Sequence, residues 1–182
     1  MSVIRMNDQR RVSETLRITE MLSSDIPAVV LIEQESNPEP WSHESFLEEL
    51  IRPHSFLLVA RLAAKSGEMV VGFLCFWLVA DEIQILNIAV HPAYRRQGVG
   101  HALLCHCLNY GAQRRCLGAV LEVRSSNLVA QHLYTSLGFR VVGQRKDYYG
   151  CHKEPALLME LSMAREHLRR WSNGMGKPSL EV

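Results

Sequence analysis

Three groups of residues in this chain have the types and spacing to do chemistry. Glu122 interrupts an apolar run, Val120-Leu121-Glu122-Val123. A carboxylate in a buried strand is costly unless it is paired or used. It is either at the rim or ion-paired, with Arg124 or another neighbour, or it is a general base whose pKa is raised by partial burial. Tyr134 falls on a stripe, Ala130, Leu133, Tyr134 and Leu137, with the i, i+3, i+4, i+7 spacing of one helix face. By that spacing it is a core tyrosine with a satisfied hydroxyl. The third group is Arg95-Arg96-Gln97-Gly98-Val99-Gly100, which runs from a strand-ending turn into a helical pattern.

Gly98 and Gly100 carry no Cβ, so a bulky group can approach the backbone there. The first N–H groups of a helix lack intrahelical partners, and the helix dipole makes that end positive. Such a corner binds phosphate, and Arg95 and Arg96 add charge beside it. A solvated turn with glycine serving only geometry is the alternative. There is no Gly-x-x-x-x-Gly-Lys-Ser/Thr, and two glycines stand where a dinucleotide fingerprint needs three.

Composition narrows the classes. At 182 residues and 47% apolar, the chain suits one well-packed domain. A formal net charge of +1 implies no general pull towards nucleic acid or an anionic membrane. No apolar run reaches the ~20 residues of a membrane span. The polar start, MSVIRMNDQRRVSE, lacks the apolar centre of a signal peptide, so a cytoplasmic location is expected. Five cysteines, Cys75, Cys105, Cys107, Cys116 and Cys151, match neither a disulfide framework nor a zinc site and are read as reduced filler. The eight histidines are scattered, so no metal is expected.

The elements that must position these groups can be read in order. Residues 1–14 read as a loose arm. Leu16–Glu20 alternates as a first strand. Ser23-Ser24-Asp25-Ile26-Pro27 starts a helix with a capping hydroxyl, and Asn37-Pro38-Glu39-Pro40 breaks it. Ser42 caps a second helix, with Phe46, Leu47 and Leu50 as its apolar stripe. Trp41 at its mouth is a packing anchor or the wall of a substrate groove. Strands are expected at Ser55–Leu62, Met69–Val79 and Ile83–Val90, joined by short turns as an antiparallel meander. The Met69–Val79 strand is apolar enough to be buried on both faces or curved. Pro92 ends the last of the three.

The helix after Gly98 shows Leu103, Leu104, Cys107, Leu108 and Gly111 on one face. Ala119–Val123 follows as a strand, and a strand–helix–strand crossover makes it parallel to the strand before. Ser125-Ser126-Asn127 caps another helix, which Gly138 ends. Phe139–Lys146 and Ala156–Leu161 close the domain, with Asp147-Tyr148-Tyr149-Gly150 in the loop between them. Residues 163–182 read as a C-terminal extension.

Arg95, Gly98 and Gly100 fill the fixed positions of Arg/Gln-x-x-Gly-x-Gly/Ala. The segment thereby resembles the acyl-CoA pyrophosphate loop of the GCN5-related N-acetyltransferases (GNAT). LEVRSSNLVAQHLYTSLGF, Leu121–Phe139, resembles the second half of that family's active site. Pro40-Trp41-Ser42, the Asn-Ile-Ala-Val strand at Asn87–Val90 and Tyr148-Tyr149 are similar to the RimI-type branch, which acetylates the N-terminal alanine of a small-subunit ribosomal protein. Together they cover roughly residues 16–162.

The resemblance implies an α/β (α+β) fold, a single N-acetyltransferase domain over 15–162. Its mixed, mostly antiparallel sheet has about seven strands and a central splayed parallel pair, flanked by about four helices. It implies acetyl-CoA as co-substrate and a protein N-terminus as acceptor, with no membrane, direct nucleic-acid or metal partner. It implies Glu122 as base and Tyr134 as acid. Ile88, Ala89 and Val90 would lie along the cofactor and hold the oxyanion. Arg95, Arg96, Gln97, Gly98, Val99, Gly100 and His101 would hold the pyrophosphate, and Asn127 the pantetheine arm. Trp41 and Tyr149 would line the acceptor site. Transfer is direct, so no cysteine nucleophile is needed. One departure is Gly150-Cys151-His152-Lys153-Glu154-Pro155, where that branch usually carries an Asp before the last strand; this bears on the acceptor. The other readings are a GNAT enzyme acting on a small amine or a lysine side chain, and a non-catalytic acyl-CoA-binding module that would need neither Glu122 nor Tyr134.

Overall fold

The alternating and helical patterns of the sequence form their elements in a computed structural model that describes residues 16–64, 67–150 and 153–163. The strands are β1 (Leu16–Glu20), β2 (Ser55–Ala64), β3 (Gly67–Val79), β4 (Glu82–Val90), β5 (Gly118–Arg124), β6 (Arg140–Tyr149) and β7 (Glu154–Ser162). The α-helices among the described residues are α1 (Ile26–Gln34), α2 (His43–Ile51), α3 (Val99–Gln113) and α4 (Leu128–Ser136), with 3-10 turns at Ser23–Asp25 and Pro92–Tyr94. The sheet order is β1-β2-β3-β4-β5-β7-β6. Pairs β1–β2, β2–β3, β5–β7 and β6–β7 are antiparallel, and β4 and β5, joined through α3, are the parallel pair. The mixed, mostly antiparallel sheet of seven strands matches the expected fold. The proposed N-terminal arm, Cys151 and all of the C-terminal extension but Met163 lie outside the described residues.

The chain packs as two compact units. In the first, which takes the described residues up to Leu78 with Ile85–His106, Ile26, Val29 and Ile32 of α1 and Phe46 of α2 cover Leu57, Val59, Phe73 and Cys75 of the sheet. Phe46 meets Phe73 edge-on at 5.3 Å between ring centroids. Residues 71–76 of β3 are buried on both faces, as their apolar run implies.

Two local expectations are corrected here. The serine hydroxyls do not cap α1. Nor does the Asp25 side chain, which turns back to the preceding 3-10 turn, accepting the Leu22 N–H at 2.8 Å and the Arg61 guanidinium at 2.7 Å. On α2, Ser42 caps as expected, accepting the Ser45 N–H at 3.2 Å. However, Leu47 is exposed, and Glu49 turns inward to accept the Trp77 indole N–H at 2.6 Å.

The second unit holds Val79–Gln84 and the described residues from Cys107 onward. Ala119, Leu121 and Val123 alternate into its core, leaving Glu122 and Arg124 on the other face of β5. Tyr134 and Leu137 are buried, and Gly138 at φ +98° ends α4. β6 runs on to Tyr149, so Asp147, Tyr148 and Tyr149 belong to a strand rather than to a loop. A register irregularity between Arg145 and Tyr149, with Asp147 at φ +54°, lets Tyr149 pair with Glu154.

Gly111 faces β4 from α3, and a Cβ there would lie 2.8 Å from Ile83 Cγ1 and in contact with its Cδ1. Ile83 is fully buried and has no room to retreat. Gly111→Ala gains ~1 kcal/mol of helix propensity but overpacks the core by about 1–3 kcal/mol. A thermal melt should therefore show Tm lowered by a few degrees; an unchanged or raised Tm would show that Ile83 repacks freely.

Candidate active site

β4 ends at Val90, and the chain turns through Pro92, which has no N–H to give to a ladder. The turn is braced from within. His91 Nδ1 accepts the Ala93 N–H at 3.2 Å, and Gln97 Nε2 donates to the Ala93 carbonyl at 3.0 Å. Arg95 folds back, donating through Nε to the Val90 carbonyl at 3.0 Å and through Nη2 to Ser36 Oγ at 2.9 Å. Arg95 and Gln97 thus shape the loop. Arg96 is exposed, at φ +63°.

Gly98 sits at φ +86°, and a Cβ there would meet nothing within 4 Å. α3 begins with buried Val99, and its first intrahelical bond runs from the Ala102 N–H to the Gly98 carbonyl at 2.9 Å. The N–H groups of Val99, Gly100 and His101 precede that bond and have no acceptor within the helix. An open, Cβ-free backbone at a positive helix end suits a diphosphate. Behind it, Ala89 of β4 is buried. A Cβ on Gly72 would lie 3.0 Å from the Ala89 carbonyl and 3.2 Å from Val99 Cγ1, so glycine on β3 keeps this approach close.

In the same unit, Glu33 of α1 is fully buried. Its Oε1 accepts from Asn37 Nδ2 at 3.0 Å, the Trp41 N–H at 3.2 Å and Asn87 Nδ2 at 3.0 Å. Trp41, partly exposed, leans on Phe46 with ring centroids 5.5 Å apart.

In the second unit, Glu122 pairs with Arg145, Oε1 to Nε 3.0 Å, and accepts a hydrogen bond from the Tyr148 hydroxyl. That hydrogen bond, more than burial, raises the Tyr148 pKa. Tyr149 is pushed up to about 12 by burial and then by the negative charge of Glu122. Burial pushes Tyr134 further still, with a smaller contribution from Tyr149.

Arg124 lies over the Tyr149 ring, 4.2 Å from its centroid, and faces Glu154 at 3.4 Å. Glu154 also accepts the Ser126 N–H at 2.9 Å, and Ser125 N–H bonds the Pro155 carbonyl at 3.0 Å. The turn after β5 is thus pinned to the start of β7. Asn127 Oδ1 caps α4 by accepting the Ala130 N–H at 3.1 Å.

Of the neighbours open to Glu122, the one it pairs with is Arg145. Sequence reading missed Arg145, because it reaches Glu122 across β7: Glu122 sits opposite Leu158, and Leu158 opposite Gly143. Only a strand order could have shown this. Glu154, singled out as a departure, is the residue that ties down the Ser126 turn. No disulfide joins the described cysteines, and burial pushes Cys75 up to about 12 and Cys105 up to about 11, poor values for nucleophiles. Among the described residues no group of three or more His, Cys, Asp or Glu could hold a metal ion, and no helix is long and apolar enough to cross a membrane.

A mixed sheet with its parallel pair bridged by a helix, and an open glycine loop at the head of that helix, form the frame in which comparison with known proteins finds an acyltransferase. The acetyltransferase (GNAT) family matches residues 26–139. The Escherichia coli ribosomal protein bS18-alanine N-acetyltransferase is 36% identical over 150 residues, 81% of this chain and 97% of that protein. A Bacillus subtilis relative named as a candidate for the same activity is 37% identical over 143 residues, 78% of this chain and 92% of its own. The crystal structure of the ribosomal-protein-S18-alanine N-acetyltransferase from Escherichia coli superposes with a TM-score of 0.74 at 31% identity, covering 92% of this chain and 99% of that one. The chain belongs to the GNAT acetyltransferase family, and within it to the RimI-type branch.

Two measurements follow from this geometry. Gly98→Ala puts a Cβ on a residue at φ +86°, a strain of order 1–3 kcal/mol. Calorimetric titration with CoA should show binding weakened by about tenfold with the far-UV circular dichroism unchanged; unaltered binding would remove the loop from the anion site. Glu154 is held below the usual carboxylate value near 4.5, first by the Ser126 hydroxyl and backbone N–H and then by Arg124. A depressed carboxylate stabilises the fold above its unfolded pKa, and that stabilisation is lost as pH falls through the folded pKa. Urea melts of Glu154→Gln should therefore show less loss of stability below about pH 4.5 than wild type.

Proposed function

We propose that this enzyme transfers the acetyl group of acetyl-CoA to the N-terminal α-amine of a protein, namely the N-terminal alanine of ribosomal protein S18. The acceptor is taken from the names of its relatives. The chemistry rests on one observation: Glu122, with most of its side chain covered, is paired with the more exposed Arg145 and Tyr148, in the same unit as a Tyr134 that burial keeps as a neutral phenol.

A free α-amine, pKa ~7.7–8.0, is largely protonated at neutral pH. Glu122 takes that proton, directly or through a water, once its bond to Arg145 gives way. The amine then attacks the thioester carbonyl, forming the C–N bond as the C–S bond breaks. A backbone N–H in the Ile88–Val90 stretch of β4 stabilises the charge that develops on the carbonyl oxygen. Tyr134 supplies the proton that the departing sulfur takes up, and the second proton that the nitrogen sheds on becoming an amide restores the phenol by way of solvent. A thiol of pKa ~8.5 is a stronger acid than this phenol, so the transfer depends on position rather than on driving force.

The N–H groups at the head of α3, with Arg96 beside them, bind the pyrophosphate, while Arg95 and Gln97 hold the loop in shape. Asn127, whose oxygen caps α4, would present its amide N–H₂ to the pantetheine arm. Trp41 and Tyr149 line the acceptor site. Ribosomal proteins and acetyl-CoA meet in the cytoplasm, and the enzyme is placed there.

The test is acetyl transfer to hexapeptides that differ only in the first residue. Alanine- and serine-starting peptides should be acetylated on the α-amine, and a blocked peptide bearing an internal lysine should not. Glu122→Gln should lower kcat/KM by about 10²–10⁴-fold and move the remaining activity to higher pH, and Tyr134→Phe should lower kcat by about tenfold or more with little change in KM. CoA binding without transfer to any peptide would sink the acceptor assignment, and full activity in Glu122→Gln would sink the base.

A further inference from the structure

Three acidic residues are buried among the described residues, and two have strong partners: Asp25 has Arg61 at 2.7 Å, and Glu49 has Arg52 at 3.2 Å and the Trp77 indole at 2.6 Å. Glu33 is the most deeply buried of the three and has no ion pair among them. All three of its donors are amides, and all three converge on Oε1. Oε2 is buried with no hydrogen-bond partner among the described residues. A carboxylate held this way costs stability, and an apolar side chain would pack α1 better. Something other than stability accounts for it.

The three donors come from three separate stretches of chain. Asn37 follows α1, Trp41 stands at the mouth of α2, and Asn87 is on β4 immediately before Ile88–Val90. The loop between α1 and α2, Asn37-Pro38-Glu39-Pro40-Trp41, contains two prolines and so has few N–H groups to fix it. Within it, the Glu39 N–H donates to Asn37 Oδ1 at 3.2 Å. The first backbone N–H after Pro40 is that of Trp41, and Glu33 takes it. The same helix end reaches the turn after β4, through Ser36 to Arg95 at 2.9 Å and Glu35 to His91 at 3.9 Å.

We propose that Glu33 is a positioning residue for the acceptor: its carboxylate clamps the Asn37–Trp41 loop to β4 and so fixes where the Trp41 wall stands relative to the strand that carries the reacting carbonyl. This rests on the reading of Trp41 as part of the acceptor site. Glu33 touches no substrate; it acts through Trp41, Asn37 and Asn87. An asparagine at 87 rather than an apolar residue is explained by the same clamp.

The experiment compares wild type, Glu33→Ala, Glu33→Gln and Asn87→Ala in full steady-state kinetics, varying an alanine-starting hexapeptide and acetyl-CoA separately, with Tm recorded for each. Glu33→Ala should raise KM for the peptide by about tenfold or more, the scale of losing hydrogen bonds to a charged group, while KM for acetyl-CoA stays within about twofold. Asn87→Ala, which frees only the β4 end, should raise the peptide KM by roughly threefold; it carries the test if Glu33→Ala does not fold. Glu33→Gln, whose Oε1 accepts the same three donors, should stay within about threefold of wild type. Peptide KM unchanged in folded variants, both KM values rising together with a lower Tm, or Glu33→Gln as impaired as Glu33→Ala would each overturn the proposal. Wild type that acetylates no peptide would instead defeat the acceptor reading, and the clamp with it; an active wild type with indifferent variants defeats the clamp alone.

Discussion

The head of α3 must be left open while everything around it is closed. Three successive N–H groups there have no acceptor within the helix, and in a folded protein such donors are normally capped. The surrounding residues maintain the opening without filling it. Val99 is buried and anchors the first turn, Gly98 supplies the left-handed conformation, and Gly72 on β3 lets the Ala89 carbonyl and Val99 come close. Arg95 and Gln97 direct their donors into the loop's own carbonyls. A capping side chain at this point would satisfy the helix and close the anion site proposed for it.

Some of this was legible in the sequence because it depends on short-range rules. Proline after Val90, glycine at a position that proves to need φ +86°, and a helical stripe from Leu103 to Gly111 are local signals, and each falls where those rules put it. Tyr134 reads as buried from the spacing of its own helix alone. The parallel placement of β5 follows from handedness and connection length rather than from any one residue.

What was not legible depends on register between distant strands or on competition between neighbours. Arg145 reaches Glu122 only because β7 lies between β5 and β6 with Leu158 opposite both Glu122 and Gly143. The extension of β6 through Tyr149 requires an irregularity at Asp147, which a period-two pattern cannot anticipate. On α2, an inward Glu49 and an outward Leu47 contradict hydrophobicity. The explanation is Trp77 on a neighbouring strand, whose indole N–H needs an acceptor.

Four carboxylates, Asp25, Glu33, Glu49 and Glu122, separate by how firmly their partners are held. Asp25 and Arg61 are both nearly enclosed, with side-chain exposures of 8% and 14%, so breaking that pair would strand a charge in the core. Glu49 is similarly committed to Trp77 and Arg52. Glu33 is committed to three amides that have no better acceptor. Glu122 is different: its own side chain is 26% exposed, but Arg145 is 56% exposed and Tyr148 is likewise open to solvent. A pair with one exposed member is worth only about 0–1 kcal/mol, and Arg145 can return to water at little cost. A general base has to be held in place and yet be able to exchange a partner for a proton. Of these four carboxylates, Glu122 is the one whose surroundings allow that exchange.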